Sequence, residues 1–110
     1  MRTIHKLNTL ENYLDKYPDI IIIFKSQQCI DCDYLDQFIE RLIAPFESIK
    51  FFSIMRHEMP EVFKHFKVYG VPSFLYFSDG ALKHTLISKN RKEPKDVMRF
   101  LQEVIEIKEG

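Results

Sequence analysis

The sequence predicts an α/β fold in which a mixed central β-sheet carries helices on both faces. Three observations support that prediction. Ile20-Ile-Ile-Ile-Phe24 is β-branched almost throughout, the pattern of a central strand buried on both sides. Leu35, Phe38, Ile39, Leu42, Ile43 and Phe46 recur at the three- and four-residue spacing of one helix face. Ser73 to Ser78, Asp79-Gly80 and Leu82 to Ile87 read in turn as a strand, a tight turn and a return strand.

The elements follow in chain order. Thr3 to Lys6 is expected to form a short first strand. Asn8 or Thr9 offers a side-chain oxygen to cap a helix in which Leu10 and Leu14 share a face and which Tyr17-Pro18 ends. After the strand Ile20 to Phe24, the apolar stripe predicts a helix from about Asp31 to Pro45, beginning at or just after Cys29. Lys50 to Ile54 reads as a second buried strand, and Met59, Val62, Phe63 and Phe66 as a shorter amphipathic helix. Tyr69-Gly-Val-Pro72 is a turn. Ser88 to Lys95 is polar and basic, and Lys89 to Lys92 within it reads as a solvated loop. Pro94 opens a last helix with Val97, Leu101, Val104 and Ile105 facing inward. The phenylalanines at 51, 52, 63, 66, 74 and 77 are assigned to the core, and the four histidines to the surface. Residues 1–110 are expected to form one domain.

Composition narrows the function classes. Lys and Arg number 16 against 16 Asp and Glu, so net charge supplies no general attraction to nucleic acid or an anionic membrane. The longest apolar run is Ile20 to Phe24, far short of the roughly 20 residues of a membrane span. Met1 to Tyr17 carries Arg2, His5, Lys6, Glu11, Asp15 and Lys16 and has no apolar signal core, so the expected compartment is the cytosol. A monomer is the expected state of a neutral domain of this size.

The chain has two cysteines, Cys29 and Cys32. A secreted disulfide scaffold uses more, spread to close long loops. A zinc site needs four ligands, and there is no second C-x-x-C. Two inert core thiols are the plainer alternative, but this pair opens a helix and lies off its apolar stripe. At a helix N-terminus, free N–H groups and the macrodipole favour a negative sulfur on Cys29. One helical turn brings Cys32 beside it, within reach of a disulfide. The chemistry that follows is dithiol exchange, with Cys29 as nucleophile and Cys32 as resolving thiol.

With those residues in view, the chain resembles the thioredoxin family over almost its whole length. The strand Ile20 to Phe24, the Cys29-Ile-Asp-Cys32 motif opening a helix, Gly70-Val71-Pro72 before a strand and Asp79-Gly80 in the last hairpin carry the resemblance. It implies a thioredoxin-like fold and a cis bond between Val71 and Pro72. It implies that Gln28, Ile30, Val71 and Pro72 face the substrate. It implies reduction of protein disulfides or of mixed disulfides with small thiols. No cofactor is expected beyond the redox-active Cys29–Cys32 disulfide. Electrons would come from an external thiol reductase or a low-molecular-weight thiol, because the chain has no Gly-rich dinucleotide loop.

The sequence also departs from the family pattern. Gln28 stands where the family has Trp, and Ile30-Asp31 where it has Gly-Pro. The family's buried acid falls on Ile23, its lysine partner near Ser53, and the glycine of its last substrate-facing loop at about Ser88. Asp31 is the candidate modulator of the thiolate. At about 7 Å, a unit charge costs a thiolate about 2.4 kcal/mol at ε near 20, while a helix terminus returns roughly 0.3–2 kcal/mol. The two nearly cancel, which suits a reductant more than a strong oxidant. Helix-terminal acids are also ordinary design, so Asp31 has a structural reading of equal weight. A thioredoxin-fold interaction module with a redox-sensitive cysteine pair is the alternative function.

Overall fold

The computed structural model describes residues 1–110. In chain order the elements are β1 (Arg2–Thr3), α1 (Leu7–Lys16), β2 (Asp19–Lys25), α2 (Ile30–Asp36), α3 (Ile39–Ile43), β3 (Lys50–Met55), α4 (Pro60–His65), β4 (Ser73–Ser78), β5 (Ala81–Leu86) and α5 (Pro94–Glu109). The five strands form one sheet in the order β1-β3-β2-β4-β5. β3 runs parallel to both β1 and β2, while β4 is antiparallel to β2 and β5. The sheet is therefore mixed, as predicted.

β2 lies at the centre, and its alternation builds two cores. Ile20, Ile22 and Phe24 point to one face, where Leu75 and Phe77 of β4 meet Leu10 of α1 and Val62 and Phe63 of α4. Ile21 and Ile23 point to the other, with Phe74 and Tyr76 against Leu35 and Ile39 of the second and third helices and Val97, Leu101 and Val104 of α5. A period of two on a strand covered on both faces gives this division directly.

Three local expectations are corrected. The helix expected from Asp31 to Pro45 is two helices, because Phe38 leaves helical geometry at φ −133° and ψ −12°. Gln37 and Phe38 donate to the carbonyls of Tyr34 and Leu35, three residues back, so the turn tightens before α3 begins. Leu35, Ile39 and Ile43 keep their common face across the break, so periodicity could not detect it. α1 starts one residue before Asn8, with Lys6 at the cap and no side-chain bond there. The first strand is confined to Arg2–Thr3, while Ile4 still donates to the Ser53 carbonyl at 2.8 Å. The hairpin turn is formed as read, with positive φ at both Asp79 and Gly80.

Ile22 is 1 % exposed and lies in the middle of the central strand. Ile22→Ala is expected to cost about 2–5 kcal/mol of unfolding free energy, read as a lower urea midpoint at unchanged m-value.

Candidate functional site

The register brings three chain segments to one end of the sheet. Phe24 of β2 pairs with Ser73, the first residue of β4, and Phe74 pairs with Leu86, the last residue of β5. The loop leaving β2 with the cysteines, the loop entering β4 with Val71-Pro72 and the loop leaving β5 with Ser88 to Glu93 therefore share that end. Gly70 lies so close to the third loop that a Cβ on it would stand 2.1 Å from the Ser88 carbonyl oxygen. The side chain of Ser73 donates to the Gly70 carbonyl at 2.6 Å and ties the second loop to its strand.

Cys29 is the N-cap of α2, and its sulfur accepts the backbone N–H of Cys32 at 3.1 Å. A capping sulfur satisfies one of the free donors of the helix start and gains partial positive charge at close range. Gln28, just before it, has φ +52°, a left-handed conformation that turns the chain sharply from strand into helix. Both cysteines are free thiols, Cys29 half-buried and Cys32 2 % exposed. Burial pushes Cys32 up to about 12, with further upward contributions from its thiol hydrogen bond to Cys29 and the charge there. The backbone at Ser26 and the charge of Lys25 act the other way. One sulfur is thus reachable and the other is kept as a neutral thiol beneath it.

The other candidate residues lie on α2 and on the loops that share this end of the sheet. Ile30 is 78 % exposed in the first turn of α2, and Gln28 is exposed beside it. Val71 is half-buried, Pro72 is buried, and the bond between them is cis. Asp31 is not the isolated charge assumed from the sequence, because Arg91 Nε donates to its Oδ1 at 3.3 Å. That pairing lessens the repulsion between Asp31 and a thiolate. Lys25 Nζ likewise meets Asp36 Oδ1 at 2.8 Å. Ile23 and Ser53, at the positions of the family's buried acid and its partner, are both buried; the Ser53 hydroxyl meets Thr3 Oγ1 at 3.0 Å.

Sequence reasoning missed the wall that Ser88 to Glu93 builds. Arg91 lies over the Tyr34 ring at 4.1 Å, and the Tyr34 hydroxyl donates to Glu93 Oε1 at 2.5 Å. Glu93 and Asp96 form the capping box that starts α5. Lys92 is not solvated: it is 2 % exposed, and its Nζ donates to the carbonyls of Ser88 and Asn90 at 2.7 and 2.8 Å. A run of polar residues contains no signal for which of them folds inward. His84 is also drawn in, stacked on Phe100 at 5.1 Å.

Comparison with known proteins agrees with this geometry. The family profile described as thioredoxin matches residues 3–103. Thioredoxin H3 of Arabidopsis thaliana is 26% identical over 74 residues, covering 67% of this chain and 63% of that protein, so the match spans less than two thirds of the relative's length. Mitochondrial thioredoxin 3 from Saccharomyces cerevisiae, in its oxidized form, superimposes with a TM-score of 0.81 at 20% identity over 94% of both chains. Thioredoxin from Trypanosoma brucei brucei gives 0.81 at 17% identity, over 94% of this chain and 89% of that one.

Three outcomes follow from the geometry. At pH 8 the thiolate fraction of Cys32 should lie about a thousandfold below that of a free thiol, so iodoacetamide should label Cys29 alone, as read by peptide mass. Because the folded protein holds the Cys32 proton to about 12 against the ordinary 9.0, its contribution to stability is complete below pH 9 and is lost as pH rises towards 12; Cys32→Ala should flatten that part of the alkaline unfolding profile. Gly70→Ala must separate two backbone segments and is expected to cost about 1–3 kcal/mol in urea unfolding.

Proposed function

The chain belongs to the thioredoxin family, a family of thiol–disulfide oxidoreductases, and we propose that it reduces disulfides of cytosolic proteins, or their mixed disulfides with small thiols, by dithiol exchange. The observation that carries this reading is the stacking of two unlike sulfurs. Cys29 is accessible at a helix N-terminus, and Cys32 is buried one turn on, with its N–H on the Cys29 sulfur.

The steps balance with these two groups. The Cys29 thiolate attacks one sulfur of the client disulfide, the client S–S bond breaks, and one client thiolate leaves. Cys32 then gives up its proton and attacks the Cys29 sulfur. The mixed disulfide breaks, the second client thiolate leaves, and Cys29–Cys32 remains as a disulfide. Two electrons have passed to the client, and an external thiol reductase or a low-molecular-weight thiol restores the dithiol. The causes that hold the Cys32 proton bear on the timing. Two of them, the hydrogen bond and the charge, come from Cys29 itself. Both weaken once Cys29 is bonded to a client, while the charge of Lys25 persists, so Cys32 ionises more readily at the step that needs it.

Client docking is assigned to Gln28, Ile30, Val71 and Pro72, which lie on the start of α2 and the two loops at the shared end of the sheet. An extended client segment laid along Val71 would find backbone groups there to pair with. No helix is long and apolar enough to cross a membrane.

Turnover of a small-molecule and a protein disulfide with a thiol donor tests the reading. Cys29→Ser should lower the rate by about a thousandfold or more, whereas Cys32→Ser should accumulate a covalent client adduct through Cys29, visible on a non-reducing gel. Binding of partners without turnover by the wild-type protein would instead favour an interaction module.

A further inference from the structure

The segments that lead towards the Val71-Pro72 bond carry cations that the exchange chemistry does not use. Arg56, Lys64 and Lys67 line an open depression of about 400 Å³, with Phe63, Val68 and Tyr69 among its other walls. No carboxylate lines it, and none of the three cations takes part in an ion pair. The acids nearest in sequence are engaged elsewhere. Glu58 meets His5 at 2.9 Å, and Glu61 lines the groove between α1 and α4.

Cations gathered without a counter-charge repel one another. The carbonyl end of α4 answers part of that repulsion, since Lys64 lies in its last turn. It does not account for Arg56, which comes from the loop after β3 and reaches the far end of the helix. The Arg56 guanidinium lies over the Phe63 ring at 5.1 Å, with Nη2 3.5 Å from the Val68 carbonyl oxygen. A planar fork held by its face keeps most of its five N–H groups for an incoming carboxylate. Lys67 stands at φ +57°, a left-handed conformation that glycine or asparagine adopts more readily, yet a charged side chain occupies it.

Position joins this cluster to the docking loop. The Arg56 backbone N–H donates to the Lys25 carbonyl at 2.9 Å, which prolongs the β2–β3 ladder towards the cysteine loop. Val68 and Tyr69 run directly into Gly70-Val71-Pro72, and the Tyr69 ring is 62 % exposed. Three residues of chain span at most about 10 Å. A client extended along Val71 therefore has the depression within reach of three or four of its own residues.

We propose that Arg56, Lys64 and Lys67 form a subsite for an acidic segment of the client protein, so that disulfides flanked by Asp or Glu are preferred. This rests on the oxidoreductase reading and adds to it a class of client. A carboxylate seated there meets a guanidinium fork and two ammonium groups beside the apolar Phe63 and Val68. A nucleic acid would need a longer basic track than three residues, and the net charge of the chain is zero.

Reduction of synthetic peptides tests the subsite. Each peptide holds one cysteine as a mixed disulfide with 2-mercaptoethanol. Three Glu stand a few residues before the cysteine, or the same number after it, or are replaced by Gln. At low ionic strength one of the two Glu peptides should be reduced with about tenfold higher kcat/KM than the Gln peptide, as three screened pairs allow, and added salt should shrink the gain. One placement alone should gain, because a segment paired with Val71 runs in one direction. Equal gains from both placements would mean diffuse attraction and would overturn the subsite, as would no gain. Lys64→Glu combined with Lys67→Glu should reverse the preference. Lys67→Gly suits the left-handed backbone and removes one charge, so it should fold as well as wild type and lose about threefold of the gain. An undiminished gain in both variants would overturn the proposal. Turnover of the Gln peptide reads the oxidoreductase function separately. One rate for all peptides sinks this inference alone, whereas turnover of none sinks the function proposed above. The subsite is then read by binding. The better Glu peptide with Ser in place of Cys should shift the amide NMR signals of Arg56, Lys67 and Tyr69. No shift, or a shift with a short single-stranded oligonucleotide and not with the peptide, would overturn it.

Discussion

Strand β2 is hydrogen-bonded on both edges and covered on both faces, so the chain leaves Lys25 from a fixed point. Four residues later it must begin a helix. Gln28 makes the turn in a left-handed conformation, and the Cys29 sulfur takes one of the free N–H groups of the first helical turn, that of Cys32. The unlike environments of the two sulfurs follow from that bond. A sulfur that caps a helix lies at its edge, half in solvent, and a residue one turn further on faces the sheet and is buried. The same β-ladder brings the Val71-Pro72 loop and the Ser88 to Glu93 loop to the same end, so the site is a consequence of strand register before any catalytic side chain is considered.

Electrostatics then distinguishes the two thiols. Desolvation is the largest influence on Cys32 and keeps it neutral, while Cys29 keeps contact with water and with the helix terminus. Two nearby charges are paired, Asp31 with Arg91 and Lys25 with Asp36. A simple sum of nearby formal charges would misjudge the field at the sulfurs, because a partially exposed, paired charge is strongly screened.

Sequence pattern was most informative where burial is periodic. The two-sided burial of Ile20 to Phe24, the inward stripe Val97, Leu101 and Val104, and the Asp79-Gly80 turn were all legible, since each expresses a geometric period or a φ requirement that few residues meet. Pattern was weakest where a contact distant in sequence overrides a local preference. The first helix begins without the expected Asn8 or Thr9 cap, and Phe38 interrupts a helix whose apolar spacing carries on unbroken. The basic run Lys89 to Lys92 has the composition of a solvated loop, yet its last member is buried.

The sequence by itself determined the mixed α/β sheet, the placing of two cysteines one turn apart at a helix start and the turn that precedes β4, because spacing, β-branching and helix polarity are properties of neighbouring residues. Tertiary structure alone decided which charges face the cysteines. Arg91 reaches Asp31 across 60 positions of chain, and Lys92 turns inward under a loop that Gly70 lets approach. The field at a sulfur depends on distance and burial in space, and no local pattern in a polar loop records either.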